Sequence, residues 1–324
     1  MSERSMWRVV ARRFALAVPL LVGVAAINFA MISLVPGDPV VLLFGEGGSP
    51  DAATLAALRA RLALNRPLSE RFFAYLSELA HGHLGQSIVQ GRSVTDAIAE
   101  RLPATLLLAG TALVLAAVLG VGLGLLLTRM AQRTPRFERA AFLALLLGGN
   151  QPPFVAGLVL LIVFALVLGV LPSQGMTSAR ASGPLDLLAH LALPSLTLAL
   201  QPMFGVARVT RARLLDVWQR DHVRTARASG IPEWRILWRH VLRNALAAPL
   251  TLLALTAAHW AGGTVLTESV FAWPGIGRLA VDATLARDYP MILGVILTGT
   301  LLVVAANLAA DLLLATVDPR VRHE

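Results

Sequence analysis

The sequence has 324 residues, of which 56% are hydrophobic, and it carries a formal net charge of +9. This hydrophobicity excludes an ordinary soluble globular protein and predicts an integral membrane protein. The absence of cysteine excludes disulfides, thiolate zinc sites, iron–sulfur clusters and cysteine nucleophiles. The sequence contains arginine but no lysine, so the lysine of a nucleotide-binding P-loop is missing and any ATP that drives this protein is hydrolysed by another chain. The arginines cluster beside apolar segments, which favours membrane topology over nucleic-acid binding.

The first predicted element is an apolar run at 14–35 that follows four arginines. The run is too long for the core of a signal peptide and lacks a small-residue cleavage site. We therefore predict an uncleaved first transmembrane helix whose amino end stays in the cytoplasm. Asn28 inside this helix is expected to bond a neighbouring helix.

Residues 36–103 are more polar and are predicted to form a small extracytoplasmic subdomain. Prolines and a glycine at 36–39 break the first helix, and a short helix is predicted from Pro50 to Leu64. His81 and His83 are candidate metal ligands by residue type. Without a third ligand nearby they are interpreted as part of a solvated loop, and no metal site is predicted.

The second and third predicted spans lie at 104–128 and 140–171. In the second span Gly120, Gly122 and Gly124 are expected to let helices approach closely. The third stretch is too long for one straight span and is interrupted at 148–153. Broken helices are tolerated where they face protein or a water-filled cavity, which makes two polar residues of the break candidates for lining a pathway: Asn150 and Gln151. A simple packing kink is the alternative.

Three further spans are predicted at 187–206, 245–267 and 291–316. His259 in the fifth span is a candidate pathway residue. The alternative is that its side chain is hydrogen-bonded inside the helix bundle. Glu268 is a candidate gate residue. Arginines outnumber acids in the segments assigned to the cytoplasm, so the positive-inside rule places both termini there. The predicted domains are the amino-terminal segment with the first helix (1–35), the extracytoplasmic subdomain (36–103), a five-helix core (104–316) and a cytoplasmic tail (317–324).

A basic amphipathic segment at 208–244 separates the fourth and fifth spans. Residues 222–229 can form two helical turns, and Gly230 suits the left-handed residue that ends a helix. Pro232 and Glu233 suit the first turn of a second helix. In that helix apolar and basic residues recur on separate faces, at spacings of three and four: Ile231, Trp234, Leu237, Trp238, Val241 and Leu242 against Arg235, Arg239 and Arg243. The segment is predicted to be a two-helix elbow, which could be a knob for a partner's groove or a hairpin on anionic lipid.

The elbow resembles the coupling loop of bacterial ATP-binding-cassette importer permeases through Thr225, Ala226 and Gly230. Arg224 stands where the general signature has an acid, so no role for that acid is carried over. The likeness continues in several further motifs: PGDP at 36–39, LNRPL at 64–68, LGQS at 84–87, RLPAT at 101–105, WPGIGRL and RDYP within 268–290, and DPR at 318–320. Taken together, the chain resembles the B-type permease of dipeptide, oligopeptide and nickel importers.

This resemblance implies an all-α integral membrane protein with six transmembrane helices of the type I importer permease fold, in the bacterial cytoplasmic membrane. It implies a C-type permease as heterodimer partner, two cytoplasmic ATPases that hold ATP and magnesium, and an extracytoplasmic solute-binding protein. Neither catalysis nor a bound cofactor is expected on this chain. Coupling to the ATPases is assigned to five residues of the elbow: Thr225, Ala226, Ser229, Gly230 and Ile231.

The substrate stays open between dipeptides, longer peptides, nickel complexes, glutathione and opine-like solutes, and a homodimer remains an alternative pairing. An ion-coupled secondary transporter or channel is the alternative from another class. It would normally show paired intramembrane charges or an internal repeat, and the sequence offers neither clearly. A membrane-embedded enzyme is disfavoured because no carboxylate pair, HExxH or nucleophile motif lies at membrane depth.

Overall fold

The structure is a computed structural model that describes residues 3–34, 66–131, 135–178, 183–261 and 264–317. In these ranges the secondary structure is helical apart from one isolated β-bridge, between Gln86 and Ser93. The chain divides into two compact units, Met1–Glu100 with Leu279–Leu301 and Arg101–Arg278 with Leu302–Glu324. The predicted break at 36–39 and the short helix predicted from Pro50 to Leu64 lie outside the described residues.

The helices follow one another along the chain with few long loops. In order they are α1 (Glu3–Leu34), α2 (Leu68–Ala80), α3 (Val94–Ala131), α4 (Pro135–Gly149), α5 (Pro153–Leu160), α6 (Pro184–Trp218), α7 (Asp221–Ala228), α8 (Glu233–Ile236), α9 (Arg243–Ala245), α10 (Ala247–Ala261), α11 (Val265–Val270), α12 (Ile276–Leu285) and α13 (Tyr289–Val317). Two π-helical segments extend α5 and α8, at Leu161–Val167 and Leu237–Leu242.

Six apolar helical segments of the described chain match the six predicted spans in order. Three helices are long and apolar enough to cross a membrane alone, and a fourth candidate is a helix pair bent by 46°. Two shorter apolar helices correspond to the first and third spans. The six segments are Ala15–Met31, Val94–Met130, Pro153–Val167, Pro184–Trp218, Glu233–Ala245 with Ala247–Trp260, and Tyr289–Leu312. Of the bent pair, Ala247–Trp260 is the part that matches the fifth predicted span, and Glu233–Ala245 is the second arm of the elbow that precedes it. The all-α membrane fold is therefore confirmed.

Several helix boundaries differ from the predicted ones. α3 begins at Val94, upstream of the apolar run, and contains Pro103 in its interior. α6 continues to Trp218, well into the segment that was predicted to be the coupling loop. α10 ends at Ala261, so the last predicted residues of the fifth span belong instead to α11. An apolar run marks only the part of a helix that meets hydrocarbon, whereas backbone hydrogen bonding continues through polar residues and past a tolerated proline.

In the first unit, α1 is joined to α13 through a buried amide. Asn28 is 2% exposed, and its Nδ2 donates a hydrogen bond of 3.2 Å to the backbone oxygen of Leu293. A buried amide in an apolar helix is stabilised only when it finds such a partner. The prediction that Asn28 bonds a neighbouring helix is confirmed.

A buried carboxylate in the same unit joins the LGQS and RDYP motifs. The Ser87 hydroxyl donates to Asp288 Oδ2, and the backbone N–H of Ile88 donates to Asp288 Oδ1 at 3.2 Å. Asp288 Oδ1 also lies 3.4 Å from the backbone nitrogen of Met291, in the first turn of α13. Asp288 therefore caps that helix while it holds the distant LGQS segment.

In the second unit, α3 and α6 approach one another closely at two glycines. A Cβ on Gly120 would lie 2.7 Å from a side-chain carbon of α6, and a Cβ on Gly124 would lie 2.8 Å from a backbone oxygen of α6. A Cβ on Gly122 would meet no atom within 4 Å. The expectation of close packing is confirmed for Gly120 and Gly124 and wrong for Gly122, because residues two apart on a helix do not share a face.

The third apolar stretch is broken as the sequence predicts. α4 ends at Gly149, and α5 begins at Pro153 after a short turn. A Cβ on Gly148 would lie 2.4 Å from the ring of Phe204 in α6. The glycine at the end of α4 thus allows an aromatic ring to lie directly against the backbone before the chain turns.

Candidate functional site

A glycine corner separates α7 from α8. Gly230 has φ of +76°, a left-handed conformation that glycine adopts without a Cβ clash. The backbone N–H of Ile231 donates to the oxygen of Ala226 at 3.2 Å, and the N–H of Gly230 donates to the oxygen of Arg227 at 3.0 Å. These two bonds form a Schellman motif, which satisfies carbonyl groups at the end of α7. The predicted elbow with a helix-ending glycine is confirmed.

An ion pair spans the corner. Arg227 Nε donates to Glu233 Oε1 at 2.5 Å, and Nη2 donates to Oε2 at 3.3 Å. This bonding lowers the pKa of the Glu233 carboxyl and raises the pKa of the Arg227 guanidinium. Both side chains are about half exposed, so water screens their attraction. The two parallel bonds therefore orient α8 relative to α7 more than they stabilise the fold.

The second arm of the elbow has a π-helical turn that changes which residues face inward. Its buried side chains are related by a spacing of five, as i→i+5 bonding requires: Ile236 with Val241, and Leu237 with Leu242. Trp234 and Trp238 are instead 61% and 60% exposed. The predicted apolar face is therefore wrong at the two tryptophans, because it assumed an α-helical repeat, whereas its members Leu237, Val241 and Leu242 are buried. The predicted basic face is confirmed, since three arginines of this arm are exposed: Arg235, Arg239 and Arg243.

One apolar cluster anchors the elbow to the end of α6. Its buried members come from α6, α7, α8, the π-helical segment and α9: Leu214, Val217, Val223, Ala226, Ile236, Leu237, Val241, Leu242 and Ala245. Burial of this many side chains stabilises the position of the elbow through the hydrophobic effect. The elbow is therefore a packed element of the second unit.

The five residues assigned to coupling divide by exposure. Thr225, Ser229 and Gly230 are exposed and Ile231 is half-buried, whereas Ala226 is only 7% exposed within the apolar cluster. The Thr225 hydroxyl donates to a backbone oxygen one turn earlier, and Ser229 does the same. The surface of the corner is thus formed by short side chains, and Ala226 contributes packing beneath it.

A cavity of about 440 Å³ lies between the elbow and the ends of α3 and α6. Its apolar lining consists of three leucines and two tryptophans, and its polar lining includes two arginines, one glutamate and one threonine. The lining residues are Leu125, Thr128, Arg129, Leu214, Trp218, Arg227, Glu233, Trp234 and Leu237. Both members of the ion pair that spans the corner are therefore also walls of this cavity.

The polar pathway candidates of the third and fifth spans are exposed and lie on separate elements. Asn150 Nδ2 donates to the oxygen of Leu146 at 2.8 Å, and Gln151 Nε2 lies 3.4 Å from the oxygen of Leu147. Both side chains thus bond the last turn of α4. His259 is exposed on α10, and among the described residues no hydrogen bond joins it to either amide.

Glu268 is fully buried rather than exposed at a gate. Its carboxylate accepts hydrogen bonds from the hydroxyls of Thr105 (2.9 Å) and Thr264 (2.6 Å). It also accepts one of 3.0 Å from the backbone N–H of Arg278. A carboxylate with this set of donors holds α11 to α3 and to the start of α12. In this structure Glu268 joins these helices within the protein, and its role as a gate residue stays a prediction.

The glycines of the WPGIG motif make room for that carboxylate. A Cβ on Gly275 would lie 2.2 Å from Glu268 Oε2, and a Cβ on Gly277 would lie 2.8 Å from the backbone of Val265. Trp273 is fully buried, and its indole N–H donates to the oxygen of Ala104 at 2.9 Å. Sequence reasoning did not assign roles to Thr105 or Thr264, although the RLPAT motif that contains Thr105 was a visible signal.

The chain matches two family models along most of its length. Residues 120–323 match the binding-protein-dependent transport system inner membrane component, and residues 6–109 match the amino-terminal membrane component of the same systems.

Curated relatives match over nearly the full chain. A putative peptide transport system permease protein of Brucella abortus is 37% identical over 98% of this chain and 100% of its own. An oligopeptide transport system permease protein of Bacillus subtilis is 35% identical over 96% of this chain and 98% of its own. A dipeptide transport system permease protein of Escherichia coli is 32% identical over 98% of this chain and 100% of its own. A structure titled as an inward-facing conformation of the MetNI methionine ABC transporter covers 68% of this chain and 96% of its own. Its TM-score is 0.54 at 17% identity, which shows likeness of fold.

Proposed function

Since this chain belongs to the family of inner membrane components of binding-protein-dependent transport systems, we propose that it is a transmembrane permease subunit of an ATP-driven importer for dipeptides and oligopeptides. The names of its curated relatives support the substrate class, because they describe peptide, dipeptide and oligopeptide transport permeases. Nickel complexes and glutathione are the alternative substrates within the same class of importer.

The proposed assembly contains this chain, a C-type permease, two cytoplasmic ATPases and an extracytoplasmic solute-binding protein. ATP and magnesium are held by the ATPases, and this chain is a non-catalytic subunit in the bacterial cytoplasmic membrane. Both termini and the tail at 317–324 lie in the cytoplasm, residues 36–103 form the extracytoplasmic subdomain, and residues 104–316 form the membrane core. The arginines around the elbow support this orientation through the positive-inside rule.

The geometry of the elbow is the observation that supports coupling to an ATPase. A short helix transmits rotation only if its corner is stiff, and this corner combines the Schellman motif at Gly230 with the Arg227–Glu233 ion pair. Its outer surface presents Thr225 and Ser229, whose short side chains let a groove approach the backbone closely. In this proposal Ala226 and Ile231 support that surface from beneath.

A cysteine cross-linking experiment tests this role on a chain that has no cysteine of its own. Ser229→Cys places a thiol on the exposed corner, and Ala226→Cys places one in the apolar cluster as the matched control. Each variant is combined with a single cysteine in the groove of the candidate ATPase, in membranes with and without ATP. We expect a disulfide from Ser229→Cys whose yield changes with nucleotide, and little disulfide from Ala226→Cys. No disulfide from Ser229→Cys or Thr225→Cys, with both proteins folded and present, would contradict the coupling role.

The substrate class is tested by uptake of labelled peptide into cells that lack this chain and into cells complemented with it. We expect complementation to restore uptake of a dipeptide and a tripeptide, with nickel and glutathione competing poorly. Restored uptake of nickel or glutathione without peptide uptake would reassign the substrate but retain the importer.

A further inference from the structure

The cavity behind the elbow has a lining that fits an anion. Arg129 and Arg227 contribute two positive charges, and Glu233 contributes one negative charge that is already bonded to Arg227. Arg129 has no carboxylate partner among the described residues and is exposed. The cavity therefore retains one guanidinium whose donors are open to a ligand, and guanidinium groups match phosphate geometry.

The cavity lies at the end of the long uncharged run of α3. No charged side chain occurs in α3 between Arg101 and Arg129, and Leu125 and Thr128 from the end of this uncharged run line the cavity. Arginine directly after an apolar run, together with tryptophan, is typical of the zone where hydrocarbon meets lipid headgroups. Trp218 and Trp234 form part of the same lining.

We propose that this cavity binds the phosphate of an anionic phospholipid headgroup, with Arg129 as its principal ligand. The leucine and tryptophan walls accommodate the glycerol and upper acyl region, while the guanidinium binds the phosphate. The size of the cavity, about 440 Å³, is in the range of small-ligand sites. A basic pocket between membrane helices on the cytoplasmic side is a setting in which anionic lipid headgroups bind.

The consequence is that lipid composition sets the stiffness of the elbow. A phosphate on Arg129 bridges the end of α3 to the walls that Arg227 and Trp234 contribute, so the elbow is held from a second side. The inference rests on the proposed membrane permease with a cytoplasmic elbow. Lipid binding by the purified protein is measured without peptide uptake, so either proposal can fail while the other stands.

Native mass spectrometry of the full-length chain, purified with its partner subunits, tests the lipid site. Phosphatidylglycerol and phosphatidylcholine are titrated separately onto wild type, Arg129→Gln and the control Arg239→Gln, which removes an exposed elbow arginine outside the cavity. We expect phosphatidylglycerol affinity to fall about tenfold in Arg129→Gln, the loss of one charge-assisted contact, and to be unchanged in Arg239→Gln. Equal losses in the two variants, no loss in either, or equal binding of the two lipids by wild type would overturn the proposal.

Inorganic phosphate serves as the competitor that separates a lipid from a soluble anion. We expect phosphate to displace the lipid poorly, because it lacks contacts with the leucine and tryptophan walls. If inorganic phosphate displaces the lipid at the same concentration as phosphatidylglycerol does, the cavity is a site for a soluble anion, and the proposal of a lipid site is overturned.

A footprinting experiment tests the lipid site in the wild-type complex, so its result does not depend on whether a variant folds. Trp234 lines the cavity and Trp238 does not, although the two are almost equally exposed, at 61% and 60%. In phosphatidylglycerol nanodiscs compared with phosphatidylcholine nanodiscs, we expect slower radical oxidation of Trp234 with Trp238 unchanged. Equal protection of both tryptophans, or of neither, would contradict a headgroup in the cavity.

Discussion

Thr105 donates its hydroxyl hydrogen to Glu268 Oε1 at 2.9 Å, although 163 positions separate the two residues in the chain. The oxygen of the same threonine accepts the backbone N–H of Ile276 at 2.8 Å. One hydroxyl therefore satisfies a buried carboxylate and the first turn of α12 together, which makes the contact a structural junction of the second unit.

Removal of the carboxylate at this junction is predicted to destabilise the protein. Glu268→Ala leaves Thr105, Thr264 and the N–H of Arg278 without their acceptor, a loss of about 3 kcal/mol or more, since unmet buried groups are costly. The midpoint of thermal unfolding in detergent should fall clearly.

Glu268→Gln distinguishes a junction from a charged gate. The amide retains the shape of the side chain and one acceptor oxygen, so we expect a smaller loss of thermal stability. Transport should fall only in proportion to the loss of folded protein. Full stability combined with complete loss of transport in Glu268→Gln would instead favour a gate that needs the charge.

Two neighbouring glycines of α3 provide a matched pair for the packing of α3 against α6. Gly124→Ala inserts a methyl group 2.8 Å from a backbone oxygen of α6, and overpacking of this kind costs about 1–3 kcal/mol. Gly122→Ala meets no atom within 4 Å and should be neutral, or stabilising by up to about 1 kcal/mol through helix propensity. Thermal unfolding of both variants checks the prediction, and an equal decrease in the two would show that α6 does not discriminate between them.

Substitution of Gly230 is predicted to act through the backbone alone. A Cβ at this position would touch nothing within 4 Å, so the cost in Gly230→Val comes from its φ of +76° and amounts to about 1–2 kcal/mol. Asparagine tolerates this conformation better, so Gly230→Asn is the control. Peptide-stimulated ATP hydrolysis by the complex should fall in Gly230→Val and be largely retained in Gly230→Asn. Equal activity of the two variants would exclude a backbone requirement at the corner.

The ion pair across the corner predicts a pH dependence with a defined direction. The folded pKa of Glu233 is lowered below its ordinary value of 4.5 because Arg227 donates to it. A depressed carboxyl pKa contributes stability that is complete above the ordinary value and is lost as the pH falls through the folded value. A spin label at Ser229 should therefore keep the same mobility from neutral pH down to about 4.5 and become more mobile only below it.

Glu233→Gln is the control for that titration. The variant lacks the titrating carboxyl, so the label should be mobile already at pH 7 and should show no further change on acidification. High salt should loosen the wild-type elbow in the same direction, because the pair is exposed to screening. Mobility that rises in wild type and variant alike would assign the change to another group.

Local sequence was sufficient for the glycine corner but not for the arm that follows it. The position of Gly230 and the proline after it specify a turn through backbone conformation, which depends on few neighbours. The face of the second arm was predicted wrongly at Trp234 and Trp238, because a π-helical turn is stabilised by what it packs against and leaves no periodic mark in the sequence.

The sequence by itself determined the membrane class, the order of six apolar segments, the family and the elbow. Each of these depends on composition, periodicity or a short motif, and such signals can be read without knowing which segments contact one another in the fold. Only the tertiary structure decided that Glu268 is a buried junction, that Ser87 bonds Asp288, and that Gly124 packs against α6 whereas Gly122 does not. These outcomes depend on contacts between residues that are distant in the chain, and the residue types involved look the same in sequence whether the partner is a neighbouring helix, water or lipid.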